Sequence, residues 1–275
     1  MNCCFCGPIK NCAPYLNNVF NNIEKLGSLF DDYRIIVFYD KSTDNTFQKL
    51  LEYKKKNTKF DFYVNKKPVS EYRTHRIAKA RNYCLDQIRE KYSDYPFFIM
   101  MDFDNVNCKI VNSDVLKKYM NRDDWDGLSF NTNGGYYDIW SLSIKPFYFS
   151  YNHFKNNYTF HNIIRDYINY KIKMVPKDEL LPCISSFNGF SIYRTKKFLD
   201  CSYDGQVRID LIPLPFLKEH MMATNSPIVY RYLGLSGSKY EKIDARKEDC
   251  EHRAFHYMAI KSGARIRISP DILFY

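Results

Sequence analysis

Glycine and proline are scarce in this chain, ten and eleven of 275 residues, together well below the ~12% of ordinary proteins. That scarcity excludes a collagen-like, low-complexity or largely disordered polypeptide. No apolar run reaches the ~18 residues that cross a bilayer, and the first thirty residues lack a basic start followed by an apolar stretch. A cytoplasmic chain without a membrane span is the expectation. The nine cysteines are odd in number and scattered, without the two C-x-x-C pairs of a zinc site, and read as reduced thiols. Tryptophan occurs only twice, against 24 Tyr and 21 Phe. The surplus of Tyr, Asn and Lys fits an AT-rich genome, viral or protist, and the chain would then work in the host cytoplasm if viral.

What is present is basic and apolar enough to fold. Lys and Arg number 41 against 31 Asp and Glu, a formal charge of +10, which suits an anionic partner such as nucleic acid, a phosphorylated metabolite or a membrane surface. At 45% apolar and 26% charged residues, the chain can bury a sizeable core as one large domain.

Short apolar runs alternate with helical patterns over the first 110 residues, the beat of βαβ units. Strands are predicted at Asn2 to Cys6, closed by Gly7 and Pro8, at Ile35 to Tyr39, at Phe60 to Val64 and at Phe97 to Met101. Helices are predicted from about Pro14 to Leu29, Asn45 to Lys56 and Arg73 to Lys91. The run from Phe97 to Met101 is apolar at every position, as expected of a central strand covered on both faces. Farther on, the pattern predicts a helix at Ser113 to Met120, strands at Leu128 to Asn131 and Ile184 to Tyr193, and a last helix at Glu248 to Lys261. Between them lie an aromatic, Asn-rich stretch from Tyr136 to Tyr170, a Pro-interrupted segment around 213–227 and a polar loop at 234–247.

Ligands of open α/β sheets gather beyond the carboxyl ends of the strands. There, Asp102 and Asp104 are two residues apart, so in extended backbone both carboxylates face one point. A hard divalent cation between them relieves their repulsion, and Mg²⁺ typically takes one or two carboxylates plus substrate phosphates. An acidic turn is the plain alternative. Asp40 follows the second strand, and capping of the next helix by Thr43 or Asp44 leaves it free to meet a base or ribose. Arg81 falls in the apolar stripe of its helix with Ile77, Ala80, Cys84 and Ile88. It therefore needs an anion, either Asp102 or Asp44 in a structural ion pair or a donor phosphate. Arg73 and Arg76 are further phosphate candidates.

The last helix carries Glu251 within its apolar arc of Cys250, Ala254, Phe255, Met258 and Ala259. An inward carboxylate is either paired with an arginine or raised in pKa and suited to proton transfer. Asp249 sits in the first turn, where the helix dipole favours an acid. His252 and His256 share a flank from which either reaches a metal, or both are structural. Gly189 reads as a bulge or a close approach of backbone to ligand. Of the rings between Tyr136 and Phe154, some are candidates for stacking on a sugar, and most are expected simply to pack.

Read together, the N-terminal strand, Asp40-Lys41-Ser42-Thr43-Asp44-Asn45-Thr46, Ala80-Arg81-Asn82 and Met101-Asp102-Phe103-Asp104 resemble nucleotide-sugar-dependent glycosyltransferases of the GT-A fold, especially family 2. The phrase from Arg76 to Asn82 also resembles the fungal capsule-associated mannosyltransferases. The resemblance implies a single α/β domain with a Rossmann-like, mostly parallel central sheet flanked by helices. It makes 1–110 the nucleotide-sugar-binding half and 111–275 a more irregular acceptor half. It implies a UDP- or GDP-sugar donor whose base lies near Gly7, Pro8 and Asp40, and Mn²⁺ or Mg²⁺ bridging Asp102, Asp104 and the diphosphate. Arg73, Arg76 and Arg81 would face the phosphates. Glu251 is expected as catalytic base, with Asp249 as rival and His252 as a third metal ligand, in a hexosyltransferase acting on a glycan or glycoprotein. Tyr39 stands where family 2 often has a first aspartate, and no Gln-x-x-Arg-Trp follows the last helix, which argues against a processive synthase.

Two alternatives belong to other classes. A sugar-nucleotide nucleotidyltransferase requires a Gly-rich, arginine-bearing loop after the first strand, where only Gly7 is present. A nucleic-acid-binding module would use clusters such as Lys54 to Lys56 and Lys66 to Lys67, but these lack interleaved aromatics, so no nucleic-acid partner is expected.

Overall fold

The computed structural model describes residues 1–67, 70–149, 157–225 and 248–275. Its first half follows the alternation in the sequence. β1 (Asn2–Ile9), β2 (Asp32–Tyr39), β3 (Phe60–Val64) and β4 (Phe97–Met101) are connected by α1 (Leu16–Gly27), α2 (Thr46–Lys56) and α3 (Arg73–Lys91). These four strands pair in parallel in the order β3-β2-β1-β4. The chain continues through α4 (Ser113–Met120), β5 (Gly127–Asn131), α5 (Asn157–Lys173), β6 (Leu181–Cys183), β7 (Phe190–Arg194), α6 (Leu214–Thr224), α7 (Glu251–Lys261) and β8 (Ile266–Ile272). β7 lies antiparallel between β4 and β5, and β8 runs parallel to β5 and antiparallel to β6. The result is one eight-stranded mixed sheet, β3-β2-β1-β4-β7-β5-β8-β6.

Strand alternation distributes the core over two faces. Phe5, Ile35, Val37, Ile99 and Met101 point to the face covered by α1 and α4, where Val19, Phe20, Ile23, Leu116 and Tyr119 are buried. Cys4, Cys6, Phe98 and Met100 point to the other, beneath α3, α5 and α7 with Cys84, Ile88, Ile168 and Phe255. β4 is buried throughout, as its unbroken apolar run predicts. All nine cysteines are free thiols. No helix among the described residues is long and apolar enough to cross a membrane.

Several boundaries differ from those predicted. β1 runs on to Ile9, so Gly7 and Pro8 are strand residues paired with Val37 and Phe38 rather than a closing turn. Gly7 is required by packing: a Cβ there would lie 2.1 Å from the Met101 carbonyl oxygen and 2.8 Å from the Phe103 ring. β7 starts only at Phe190, because Asn188 and Gly189 adopt left-handed φ values of 56° and 82° and turn the chain. The aromatic stretch conceals α5, whose buried Ile164, Ile168 and Ile172 recur every fourth residue. The Pro-interrupted segment holds α6, with Pro213 as its N-cap and Asn225 as a left-handed C-cap. Glu248 and Asp249 precede α7, whose N-cap is Cys250. β8 was not anticipated, although Ile266 and Ile268 alternate. The polar loop at 234–247 and the rings of Tyr151 and Phe154 lie outside the described residues.

Gly7→Ala is expected to cost about 1–3 kcal/mol, the usual penalty of overpacking. Urea unfolding at equilibrium measures it, and an unchanged midpoint would contradict the close approach of β1 to Met101.

Candidate active site

Beyond the carboxyl ends of β2, β1 and β4, three neighbouring strands deliver Asp40, Pro8 and Asp102 to one cavity. It measures about 460 Å³ and is also lined by Arg73, Arg76 and Asp104. A second cavity of about 450 Å³ adjoins it, sharing Arg73, Ile77, Asp102 and Asp104. Its further lining includes Arg81, Tyr137, Asp138, Trp140, Glu251 and His252. Asp102 and Asp104 therefore stand at the junction of the two.

The backbone fixes that junction. Asp102 donates its N–H to the Gly189 carbonyl at 2.9 Å. The Asn107 side chain donates both to the Asp102 carbonyl and to the Gly189 carbonyl, at 2.7 Å each. Gly189 admits no side chain, since a Cβ would meet the Tyr137 hydroxyl at 2.5 Å. Asn188 extends the same turn to the far wall. Its Oδ1 accepts the N–H of Tyr137 at 3.0 Å and of Asp138 at 3.2 Å, while its Nδ2 donates to the Phe130 carbonyl at 2.8 Å. Asp104 accepts the Val106 N–H at 3.1 Å and so caps its own turn.

Arg81 is buried, 3% exposed, and its anions are on the protein. Nε donates to Glu251 at 2.9 Å, Nη2 to Asp102 at 3.0 Å, and the guanidinium lies 4.4 Å above the Phe187 ring. The structural ion pair to Asp102 is present, and Glu251 is a second partner that the sequence did not name. Nη1 is left without a partner among the described residues. Burial raises the Asp102 carboxyl to about 7; Arg81 opposes the shift, and Asp104, Asp138 and Glu251 add to it. Burial likewise raises Glu251 against the pull of Arg81. For Arg81 itself, burial disfavours the charge, but Glu251 and Asp102 outweigh it and hold the guanidinium protonated.

The remaining candidates separate cleanly. Asp40 lines the first cavity and accepts from Asn65 at 3.1 Å. Arg76 does so too, with Nη1 bound to the Ser70 and Glu71 carbonyls at 2.9 and 2.6 Å. Asp44 accepts the N–H groups of Thr46 and Ala13 at 3.0 Å each, the capping role expected of it. Gly7 lines neither cavity. Nor does Asp249, whose carboxylate is buried against Arg253 Nε at 3.1 Å and the Cys250 N–H at 2.8 Å. Arg253 in turn donates to the carbonyls of Leu142 and Trp140. His256 is structural, bonded to Ser185 at 2.9 Å and Tyr193 at 3.1 Å. His252 lies flat on Phe187, ring centroids 3.9 Å apart, and burial lowers its pKa so that it is neutral.

Among the described residues no group of three or more His, Cys, Asp and Glu side chains is placed to hold a metal ion. His252, expected as a third ligand, lines the second cavity with Asp102 and Asp104, stacked on Phe187 and with both ring nitrogens lacking a hydrogen-bond partner among the described residues. The acidic pair nevertheless suits a hard cation that completes its shell with substrate oxygens. Four carboxylates line the second cavity, and Asp104, Asp138 and Glu251 add to the rise that burial causes at Asp102, a repulsion that a cation would offset. Sequence reading overlooked Asp138 and Asn188. The signal for both was Asn188-Gly189, a pair at home in left-handed turns.

The family model described as glycosyl transferase family 2 matches residues 4–179, more than half of the chain. Among solved structures, residues 1–349 of TarS from S. aureus are 15% identical, with a TM-score of 0.49 over 100% of this chain and 60% of that one. The mannosyltransferase PcManGT from Pyrobaculum calidifontis, solved with GDP-Man and Mn²⁺, is 11% identical, with a TM-score of 0.42 over 74% and 47%. Glucosyl-3-phosphoglycerate synthase from Mycobacterium tuberculosis, solved with Mn²⁺, UDP and phosphoglyceric acid, is 12% identical, with a TM-score of 0.41 over 86% and 66%. The chain spans about three fifths of the length of the TarS fragment. No curated protein matches it.

Replacing Arg81 by Met leaves Asp102 and Glu251 without their cation and is expected to destabilise the protein by about 3–5 kcal/mol at pH 8. Because both carboxyls are raised in the folded state, the deficit should shrink as acid neutralises them. The complementary change, Asp102→Asn, is expected to stabilise the metal-free protein by on the order of 1–3 kcal/mol at pH 8. That gain develops as pH rises from the unfolded value near 3.8 through the folded value of about 7, and vanishes below the unfolded value. Urea titrations at pH 5 and pH 8 read both.

Proposed function

The chain belongs to glycosyl transferase family 2, and from that premise we propose that it moves one sugar from a nucleoside diphosphate donor to a hydroxyl of a glycan or glycoprotein. The observation that carries the reading is the position of Asp102 and Asp104 between two adjoining cavities, each of ligand size. In this reading residues 1–110 supply most of the donor side, and the acceptor wall comes from later residues.

The donor lies in the first cavity, its base and ribose toward Pro8 and Asp40 and its diphosphate between Arg73 and Arg76. Asp102 and Asp104 are the residues that would hold Mn²⁺ or Mg²⁺, which when bound neutralises charge on the departing diphosphate. Arg81 is given in this reading to Asp102 and Glu251 rather than to a phosphate: it holds both in place and opposes the rise that burial causes in their carboxyls. The acceptor enters the second cavity against Tyr137 and Trp140, and its proton passes to a carboxylate there, Glu251 or Asp138. A nucleotidyltransferase or nucleic-acid reading gains nothing comparable. Lys54, at the head of the first lysine cluster, is paired with Asp61 at 2.7 Å.

A thermal-shift panel of UDP-, GDP- and CMP-sugars, with and without Mn²⁺, tests the proposal. At ~100 times Kd a donor adds about 2.7 kcal/mol, roughly 5–10 °C for a chain of this size. Asp102→Asn should abolish the Mn²⁺-dependent part of that shift while the protein stays folded. No shift with any nucleotide sugar would reject the donor, and an undiminished shift in the variant would reject the metal assignment.

A further inference from the structure

Resting on that reading, we propose that Asp138 is the catalytic base, taking the proton of the acceptor hydroxyl as the oxygen attacks the sugar. The role asks for a carboxylate that faces the acceptor, is rigidly placed, and has a free oxygen. Four carboxylates line the second cavity. Asp102 and Asp104 also line the first and are given to the donor side. Glu251 is 4% exposed and its Oε1 receives Arg81 Nε at 2.9 Å. Protonating it would break a buried ion pair and leave the guanidinium half-compensated.

Asp138 meets each requirement. It lines the second cavity and not the first. It is half-buried, and among the described residues no cation pairs with it. Its Oδ1 accepts the Ser141 N–H at 3.3 Å, and Oδ2 takes no hydrogen bond from a described residue. Its backbone N–H is fixed at 3.2 Å by Asn188, whose turn also anchors Asp102 through Gly189. One rigid turn thus sets the spacing between the donor-side acid and the acceptor-side acid. Tyr137 and Trp140 flank Asp138 on the same wall, and Trp140 Nε1 is buried without a partner among the described residues, a donor left over for an acceptor oxygen.

The step is a single displacement. The acceptor oxygen forms its bond to the anomeric carbon while the bond from that carbon to the diphosphate oxygen breaks. The electron pair leaves on the nucleoside diphosphate, and the hydroxyl proton ends on Asp138 Oδ2. Attack from the side opposite the leaving group inverts the anomeric configuration, so the proposal commits to inversion.

The test uses the whole chain with Mn²⁺, the nucleotide sugar that gives the largest thermal shift, and water as acceptor, reading nucleotide release and the anomer first formed by NMR. Asp138→Asn keeps the acceptor for Ser141. It should hold the donor-induced shift and KM within about threefold while kcat falls ~10²–10⁴-fold, the usual worth of a general base. Asp138→Ser, which also keeps an acceptor oxygen, is the second variant should the first fail to fold, and Asp138→Glu should recover part of the rate. Wild-type product should be inverted. Release within threefold of wild type in Asp138→Asn, loss of its donor shift, or retained configuration each overturns the proposal. So would Glu251→Gln abolishing turnover with donor binding intact while Asp138→Asn does not. Absence of any nucleotide-sugar shift in the wild type is a separate result, and it removes the donor reading beneath the proposal.

Discussion

A guanidinium held out of water between two carboxylates is the interaction on which this site depends. Arg81 comes from α3, Asp102 from the end of β4 and Glu251 from the first turn of α7, so three ionisable groups drawn from a span of 170 residues meet at one point. None is stable alone at that depth, since an unpaired buried ion costs several kcal/mol. Satisfying them together fixes the last helix against the parallel half of the sheet. Two carboxylates share one cation, so the triad carries a net negative charge only once both are ionised, which burial opposes. The N-terminus of α7 also favours an acid at Glu251, so the helix dipole and Arg81 act in the same direction against the desolvation that raises its carboxyl.

Backbone geometry supplies the precision that charge alone cannot. Gly7 lets β1 approach Met101, Asn188 and Gly189 turn the chain before β7, and the Gly189 carbonyl receives the Asp102 N–H. These contacts hold the residue that follows β4 from both sides, by its neighbours β1 and β7. The antiparallel insertion of β7 beside β4 is what brings a turn, rather than a helix, next to Asp102. A purely parallel continuation would have placed a crossover there. The mixed half of the sheet is therefore part of how the wall of the second cavity is built.

The legible part of the fold was the part governed by local period. β3, α3, β4 and α4 start and end where hydrophobic spacing places them, because each buries its own apolar face. The inward position of Arg81 on α3 called for an anion, either a carboxylate or a donor phosphate, and Asp102 was among the expected partners. Its second partner, Glu251, is distant in sequence, and no local pattern marks that contact. Gly7 looked like the end of a strand because its function, close passage of one strand beside another, is invisible without the neighbour. Asp138 sits among rings that mask any period, and its importance arises from Asn188, fifty residues away. α5 was hidden by the same aromatic density despite its four-residue isoleucine spacing.

On the proposed function, the charge pattern couples the binding of donor and cation. The chain as a whole carries +10, which draws an anionic donor toward the molecule. Yet the second cavity is lined by Asp102, Asp104, Asp138 and Glu251, with Arg73 and Arg81 as the basic groups. A diphosphate brought to that junction alone would meet carboxylates at close range, and a divalent cation alone would find only two well-placed protein ligands. Each supplies what the other lacks, oxygens in one direction and positive charge in the other. By linkage, each then raises the affinity of the other by the same factor. Under the proposed function the long-range positive field and the local acidic cluster are complementary: the first would gather a nucleotide, and the second would retain it where its diphosphate arrives with a metal ion.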